Sequence, residues 1–179
     1  MELIIYGTNY GTTERYAKEL AGRTGIAAVS CENAVIPEEC DTVIYFGGLY
    51  AGGVKGLKET IPVIRKSNCQ RLLIATVGLA DTENEENIQN IRNSLQMQLP
   101  ADVYEKSEFY HLRGGIDYGR LSFMHKTMMK LLYTKAKNLP EEKKTAEVRA
   151  MLDTYGKQVD FVDFSKLDPI ERSLSCHNR

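Results

Sequence analysis

Glu2-Leu3-Ile4-Ile5-Tyr6-Gly7-Thr8-Asn9-Tyr10-Gly11-Thr12-Thr13-Glu14-Arg15-Tyr16-Ala17 runs from an apolar strand through a loop of small and hydroxylated residues into a helical pattern. A helix N-terminus leaves backbone N–H groups unpaired and carries partial positive charge, so an anion held there gains hydrogen bonds and a favourable dipole. The hydroxyls of Thr8, Thr12 and Thr13 supply further donors, and Gly7 and Gly11 let the backbone turn sharply and approach a ligand closely. The loop holds no lysine. A Walker loop uses one to reach outer phosphates, so a phosphate that is bound and kept, as in a monophosphate cofactor, fits better than one that is transferred. On the motif alone, a hydroxyl-rich turn with Thr12 as an ordinary N-cap fits about equally well.

Working outward, three apolar runs end at glycine: residues 3–7, 43–48 and 72–78. Consecutive apolar positions imply burial on both faces, which is the pattern of a parallel strand covered by helices. Helical stripes lie between them, with Tyr16, Ala17 and Leu20 in the first, residues 57–64 in the second and Ile88, Ile91 and Leu95 in the third. Residues 26–29 supply a short second strand and residues 108–112 a fifth. The expected architecture is α/β: a doubly wound, five-stranded parallel sheet in three layers, with strand order 2-1-3-4-5.

In such a sheet the ligand lies beyond the carboxyl ends of the strands, at the switch point. Three loops converge there. The first holds Thr8, Asn9, Tyr10, Gly11, Thr12 and Thr13; the second Gly48, Leu49, Tyr50, Ala51 and Gly52; the third Thr76, Val77, Gly78, Leu79 and Asp81. Tyr50, with glycines on both sides, is the candidate to lie flat on a planar ligand, while amides beside it and in the third loop bond polar ring edges. The alternative for Tyr50 is packing on its own loop.

The first loop resembles the flavodoxin phosphate loop, Ser/Thr-x-Thr-Gly-Asn-Thr, which wraps the phosphate of FMN. Thr8, Gly11 and Thr13 match that pattern; Tyr10 and Thr12 depart from it, standing where threonine and asparagine are usual. With the three loops in order, residues 1 to about 115 resemble a flavodoxin domain. The resemblance implies non-covalent FMN held by the loop residues named above, with main chain of the third loop on the ring edge. The chain has no tryptophan to stack on the flavin, leaving Leu49 or Leu79 for the second ring face.

Beyond strand five the chain reads Leu112-Arg113-Gly114-Gly115-Ile116-Asp117-Tyr118-Gly119-Arg120-Leu121-Ser122-Phe123-Met124-His125-Lys126, where a plain flavodoxin would enter its last helix. This stretch resembles the flavodoxin-domain proteins related to menaquinone-dependent protoporphyrinogen dehydrogenase, which carry an aromatic and basic insertion there. Residues 1–179 are expected as one domain, with residues 113–158 a largely helical insertion after or within strand five, residues 159–163 a second half-strand and a short helix from Ser165. Residues 121–137 form a helix with Leu121, Met124, Met128, Leu131 and Leu132 on one stripe and Lys126, Lys130, Lys135 and Lys137 elsewhere. That pattern suits packing on its own domain, docking on an anionic membrane, or reception of a partner or apolar substrate. Arg113, Tyr118 and Arg120 stand near the expected cofactor mouth, either to meet an anionic substrate or to pair with Asp117 or Asp81.

A chain of 179 residues with net charge −1 suggests neither a nucleic-acid binder nor an acidic tail. Cys31, Cys40, Cys69 and Cys176 form no C-x-x-C pair, which argues against a zinc site and a dithiol centre and suits a reducing cytoplasm. His111, His125 and His177 read as ordinary face residues, and neither a catalytic side chain nor a metal is expected. No signal-peptide pattern opens the chain and no apolar run reaches the ~20 residues of a membrane span, so a cytoplasmic location, peripheral at most at the inner membrane face, is expected. Three functions stay open: an FMN electron carrier serving a redox partner protein, an FMN-dependent oxidoreductase acting on a protoporphyrinogen-like tetrapyrrole or quinone, and a flavin-free binding or scaffold protein. The near-neutral charge and the insertion favour the second over the first.

Overall fold

The computed structural model describes residues 1–50 and 53–175; Ala51, Gly52, Cys176 and His177 lie outside the described residues. The parallel strands are β1 (Glu2–Gly7), β2 (Ala28–Ser30), β3 (Thr42–Tyr50), β5 (Arg71–Gly78) and β6 (Ser107–Arg113), with β4 (Gly53–Val54) folded back antiparallel on β3. Their order is β2-β1-β3-β5-β6, which for the parallel strands is 2-1-3-4-5. Register runs Ile4 opposite Ile44 and Ile44 opposite Leu73, so these apolar runs are paired on both edges.

Alternation along the strands divides the core. Leu3, Ile5, Val43, Tyr45, Leu72 and Ile74 face α2 (Leu57–Lys66) and α3 (Glu85–Gln98). Ile4, Ile44, Phe46, Leu73, Ala75 and Val77 face α1 (Thr12–Thr24) and α7 (Asp168–Ser175). Tyr45 and Phe46 are fully buried neighbours on opposite faces, which is why a run apolar at every position was needed. The Tyr45 phenol donates to the Lys55 carbonyl at 2.5 Å, and burial holds its pKa far above the ordinary value. Cys40 and Cys69 have thiols pushed up by burial, which suits small core residues.

The short helix α4 (Ala101–Lys106) leads into β6, which is continuous to Arg113. The insertion then follows: β7 (Gly115–Asp117), α5 (Phe123–Lys137), α6 (Ala146–Thr154) and β8 (Gln158–Asp160). The expected second half-strand does not rejoin the parallel sheet. β8 pairs antiparallel with β7 instead, Gly115 opposite Asp160 and Asp117 opposite Gln158, so the insertion stands after the fifth parallel strand and closes on itself. Its exit is tied to α1: Arg15 pairs with Asp160 at 2.8 Å, and the buried Tyr16 hydroxyl donates to the Arg113 carbonyl at 2.7 Å while accepting from the Asp163 amide at 3.0 Å. The closing helix carries Pro169 in its first turn, where a missing N–H costs nothing.

Candidate functional site

The first loop leaves β1 and enters α1 through Gly11, whose φ of 87° is the left-handed conformation that favours glycine. Gly11, not Thr12, is the N-cap, and no side chain caps the helix. The amides of its first turn are therefore left for a ligand or solvent. Thr8 Oγ1 accepts from the Gly11 amide at 2.9 Å, which holds the loop closed and leaves the Thr8 hydroxyl proton free to donate. Thr13 is 3 % exposed, and its Oγ1 lies 3.1 Å from where a Cβ on Gly48 would stand, so β3 passes the helix at a tight approach that glycine eases. Asn9 is exposed and Tyr10 half-buried.

The second loop is a hairpin. β3 continues through Gly48 and Leu49 to Tyr50, and Leu49 pairs with Val54 and Tyr50 with Gly53. The Val54 amide donates to Gln98 Oε1 at 3.0 Å, which anchors the hairpin to α3. Leu49 packs toward Gly78, its Cδ1 lying 2.7 Å from a Cβ position there, so it links the second loop to the third. Burial, and secondarily the charge of a neighbouring Tyr10 phenolate, raise the Tyr50 pKa above the usual phenol value.

In the third loop, Thr76 and Val77 are ladder residues of β5, paired with Gly47 and Gly48 on one side and His111 and Leu112 on the other. Thr76 is 1 % exposed and its hydroxyl meets His111 Nδ1 at 2.8 Å. The Gly78 carbonyl accepts from the Gly114 amide at 2.6 Å and the Leu79 carbonyl from Arg113 Nη2 at 3.4 Å, so β6 braces this loop from the outside. Asp81 is exposed; its carboxylate accepts from the Glu83 amide at 3.0 Å and its carbonyl from Asn87 Nδ2 at 2.7 Å, which starts the turn into α3.

The insertion reaches back to these loops. Ser122 caps α5 by accepting from the His125 amide at 3.2 Å, and the Ser122 amide donates to the Tyr10 hydroxyl at 3.3 Å. That hydroxyl also bonds His125 Nδ1. The His125 ring stands 5.5 Å from the Tyr10 ring and 5.2 Å from the Tyr50 ring, and the Tyr50 hydroxyl meets Met128 Sδ at 3.5 Å. One turn of α5 thus bridges the first and second loops. Two histidines that the sequence left as face residues therefore lie at the loops, His111 beneath Thr76 and His125 between the tyrosines. The one clue to the second was Tyr10, a bulky phenol in a loop of small residues.

Arg113 stacks over the Phe161 ring at 4.0 Å and forms no ion pair with Asp117 or Asp81. Tyr118 meets Tyr155 edge-on at 5.2 Å, and burial pushes its pKa up to about 12. Among the described residues no group of three or more His, Cys, Asp or Glu side chains is placed to hold a metal ion.

A sequence model of the flavodoxin domain matches residues 3–144 of this chain. No curated protein matches it. Among solved structures it is similar to a Bacteroides eggerthii protein provisionally assigned as a flavoprotein, at 12 % identity over 62 % of this chain and 84 % of that one, TM-score 0.40. It is also similar to a cysteine-to-alanine variant of flavodoxin from Pseudomonas aeruginosa, at 15 % identity over 75 % of this chain and 95 % of that one, TM-score 0.33.

Proposed function

This chain belongs to the flavodoxin domain family, and we propose on that basis that it holds FMN non-covalently in the three converging loops and passes electrons through it. The observation that carries the reading is the uncapped N-terminus of α1, ringed by Thr8, Gly11 and the buried Thr13. The donor set fits a phosphate dianion: amides of the first helical turn and hydroxyls, with no carboxylate in the loop between β1 and α1 to repel it. Tyr50 orients the ring by stacking, and main-chain groups past Gly78 meet its polar edge. Leu49, packed toward Gly78, offers an apolar wall on one side of that space. Bound there, the flavin supplies the redox chemistry; the chain binds, orients and sets the electrostatic environment. The visible spectrum of the purified protein, with identification of the released chromophore, tests this: flavin bands and FMN support it. A colourless protein that also fails to take up added FMN refutes it and leaves the flavin-free binding role.

A second reading is an FMN-dependent oxidoreductase of the protoporphyrinogen or quinone type. What favours it is the turn of α5 laid from Tyr10 to Tyr50, since an insertion at the mouth suits a protein that handles a substrate more than one that presents an open flavin edge. Oxidation of protoporphyrinogen with a quinone acceptor tests it. A loaded protein that shows no such turnover yet shuttles electrons between a reductase and a one-electron acceptor is a carrier.

For a partner, we propose that the outer face of α5 meets an anionic lipid surface. Phe123 is 87 % exposed, Met124 72 % and Leu131 56 %, and the helix carries Lys126, Lys130, Lys135 and Lys137 with no acidic residue. None of the described helices is long and apolar enough to cross a membrane.

A further inference from the structure

We infer that Tyr10 and His125 are positioning residues: together they clasp the first turn of α5 across the cofactor mouth, and this clasp controls how fast the flavin leaves and how far small solutes reach it. The inference rests on the reading of these loops as a flavin site.

Three observations carry it. Tyr10 belongs to the phosphate loop, yet its hydroxyl is engaged by the insertion, accepting from the Ser122 amide and bonding His125 Nδ1. A phenol oxygen has one proton and two lone pairs, so it can take the Ser122 N–H and still share a second hydrogen bond with His125 Nδ1. The turn holding His125 is itself fixed, because the Ser122 side chain caps the His125 amide. On the other side His125 and Met128 meet Tyr50, the candidate ring-stacking residue. The same helical turn therefore touches the residue group that would hold the phosphate and the residue that would hold the ring.

Tyr133 stacks on Tyr155, with centroids 4.0 Å apart, which ties α5 to the segment after α6, while Phe123 and Met124 in its first turn point to solvent. The first turn is held to the sheet body through Tyr10 and Tyr50, so loosening the Tyr10 end frees it at the mouth without touching the core. This also accounts for the departure of Tyr10 from the phosphate-loop pattern: the position serves the insertion.

The test uses the full chain loaded with FMN, with Tyr10→Phe, His125→Ala, the double variant, and His125→Asn, whose side-chain amide can accept from or donate to the Tyr10 hydroxyl in place of Nδ1. Tyr10→Phe and His125→Ala are each expected to speed FMN release about tenfold and to raise iodide quenching of any bound-flavin fluorescence. The double variant is expected to do no more than the stronger single one, and His125→Asn to restore most of the wild-type rate. In the FMN-free protein, amide exchange over residues 122–129 is expected to accelerate in Tyr10→Phe while the sheet amides keep their protection. FMN release at the wild-type rate in both single variants, or exchange over 122–129 unchanged by Tyr10→Phe, overturns the clasp. A chain that binds no FMN refutes the flavin reading instead, and the exchange experiment then still decides whether the clasp exists.

Discussion

Thr13 is the residue that ties the helix N-terminus to the sheet: buried in the first turn of α1, with its hydroxyl against Gly48. A hydroxyl that donates to a phosphate dianion contributes about 1.5–3 kcal/mol. Thr13→Val is therefore expected to weaken FMN binding at least tenfold and leave riboflavin binding nearly unchanged; an equal loss for both ligands, measured by titration, contradicts a phosphate contact. His111 gives a prediction on stability. Burial, and to a lesser degree the charge of Arg92, hold its imidazole down at about 4 against an ordinary 6.5. The unfolded chain takes up a proton between those values that the folded chain refuses. Stability is thus full above pH 6.5 and falls as the pH drops through the window, by at most about 1.4 kcal/mol per pH unit. His111→Gln is expected to flatten that slope in urea denaturation; an unchanged slope contradicts the assignment. The turn from β1 into α1 was legible because consecutive residues carry the strand, the small-residue loop and the helix start. His111 and His125 were not, because their partners Thr76 and Tyr10 lie 35 and 115 residues away.

The three central parallel strands were readable as elements because each is an apolar run that reaches glycine, and α1–α3 because each carries an apolar stripe. The pairing of β8 was not: two three-residue strands about forty positions apart have no local signal for which neighbour they choose, and continuity with the fifth strand was as good a guess as the β7 hairpin. The same limit applies to α5. Its stripe was visible, but Met124 and Leu131 proved to lie on the solvent side, since the face that packs is set by the Tyr10 and Tyr50 contacts. Replacing Phe123, Met124 and Leu131 together by serine is expected to abolish sedimentation with vesicles containing anionic lipid while leaving the thermal unfolding midpoint within a few degrees; vesicle binding undiminished in that variant contradicts the lipid contact. At the other end of the sheet Arg71, 15 % exposed at its side chain, bonds Glu108 at 2.6 and 3.2 Å, the Ser173 carbonyl at 3.1 Å and the Ser173 hydroxyl. This joins β5, β6 and α7, and the Arg71 guanidinium holds the Glu108 carboxyl below the usual carboxylate range. Arg71→Met is expected to cost about 1 kcal/mol, because it removes the bonds to Glu108 and Ser173 while the Glu108 carboxylate, 39 % exposed, keeps solvent and the Tyr110 and Ser173 hydroxyls; a loss under about 0.3 kcal/mol in denaturant titration contradicts a structural role.

Taken whole, the chain brings the carboxyl ends of β1, β3 and β5 to one edge where the crossovers part, α1 running to one face and α2 to the other. The insertion that follows β6 returns to that same edge, so one end of the molecule gathers the uncapped helix, the Tyr50 hairpin and the first turn of α5. The Arg15–Asp160 pair and the two Tyr16 hydroxyl bonds tie the exit of the insertion to α1 beside it. On the proposed reading, this end holds the phosphate of FMN. Titration of the flavin-free protein with FMN and with riboflavin, which lacks only the phosphate, tests it most directly. Two or more charge-assisted hydrogen bonds at a helix N-terminus predict that FMN binds at least about 100-fold more tightly than riboflavin. Equal affinities for the two, or no binding of either, would mean that this end holds no FMN phosphate.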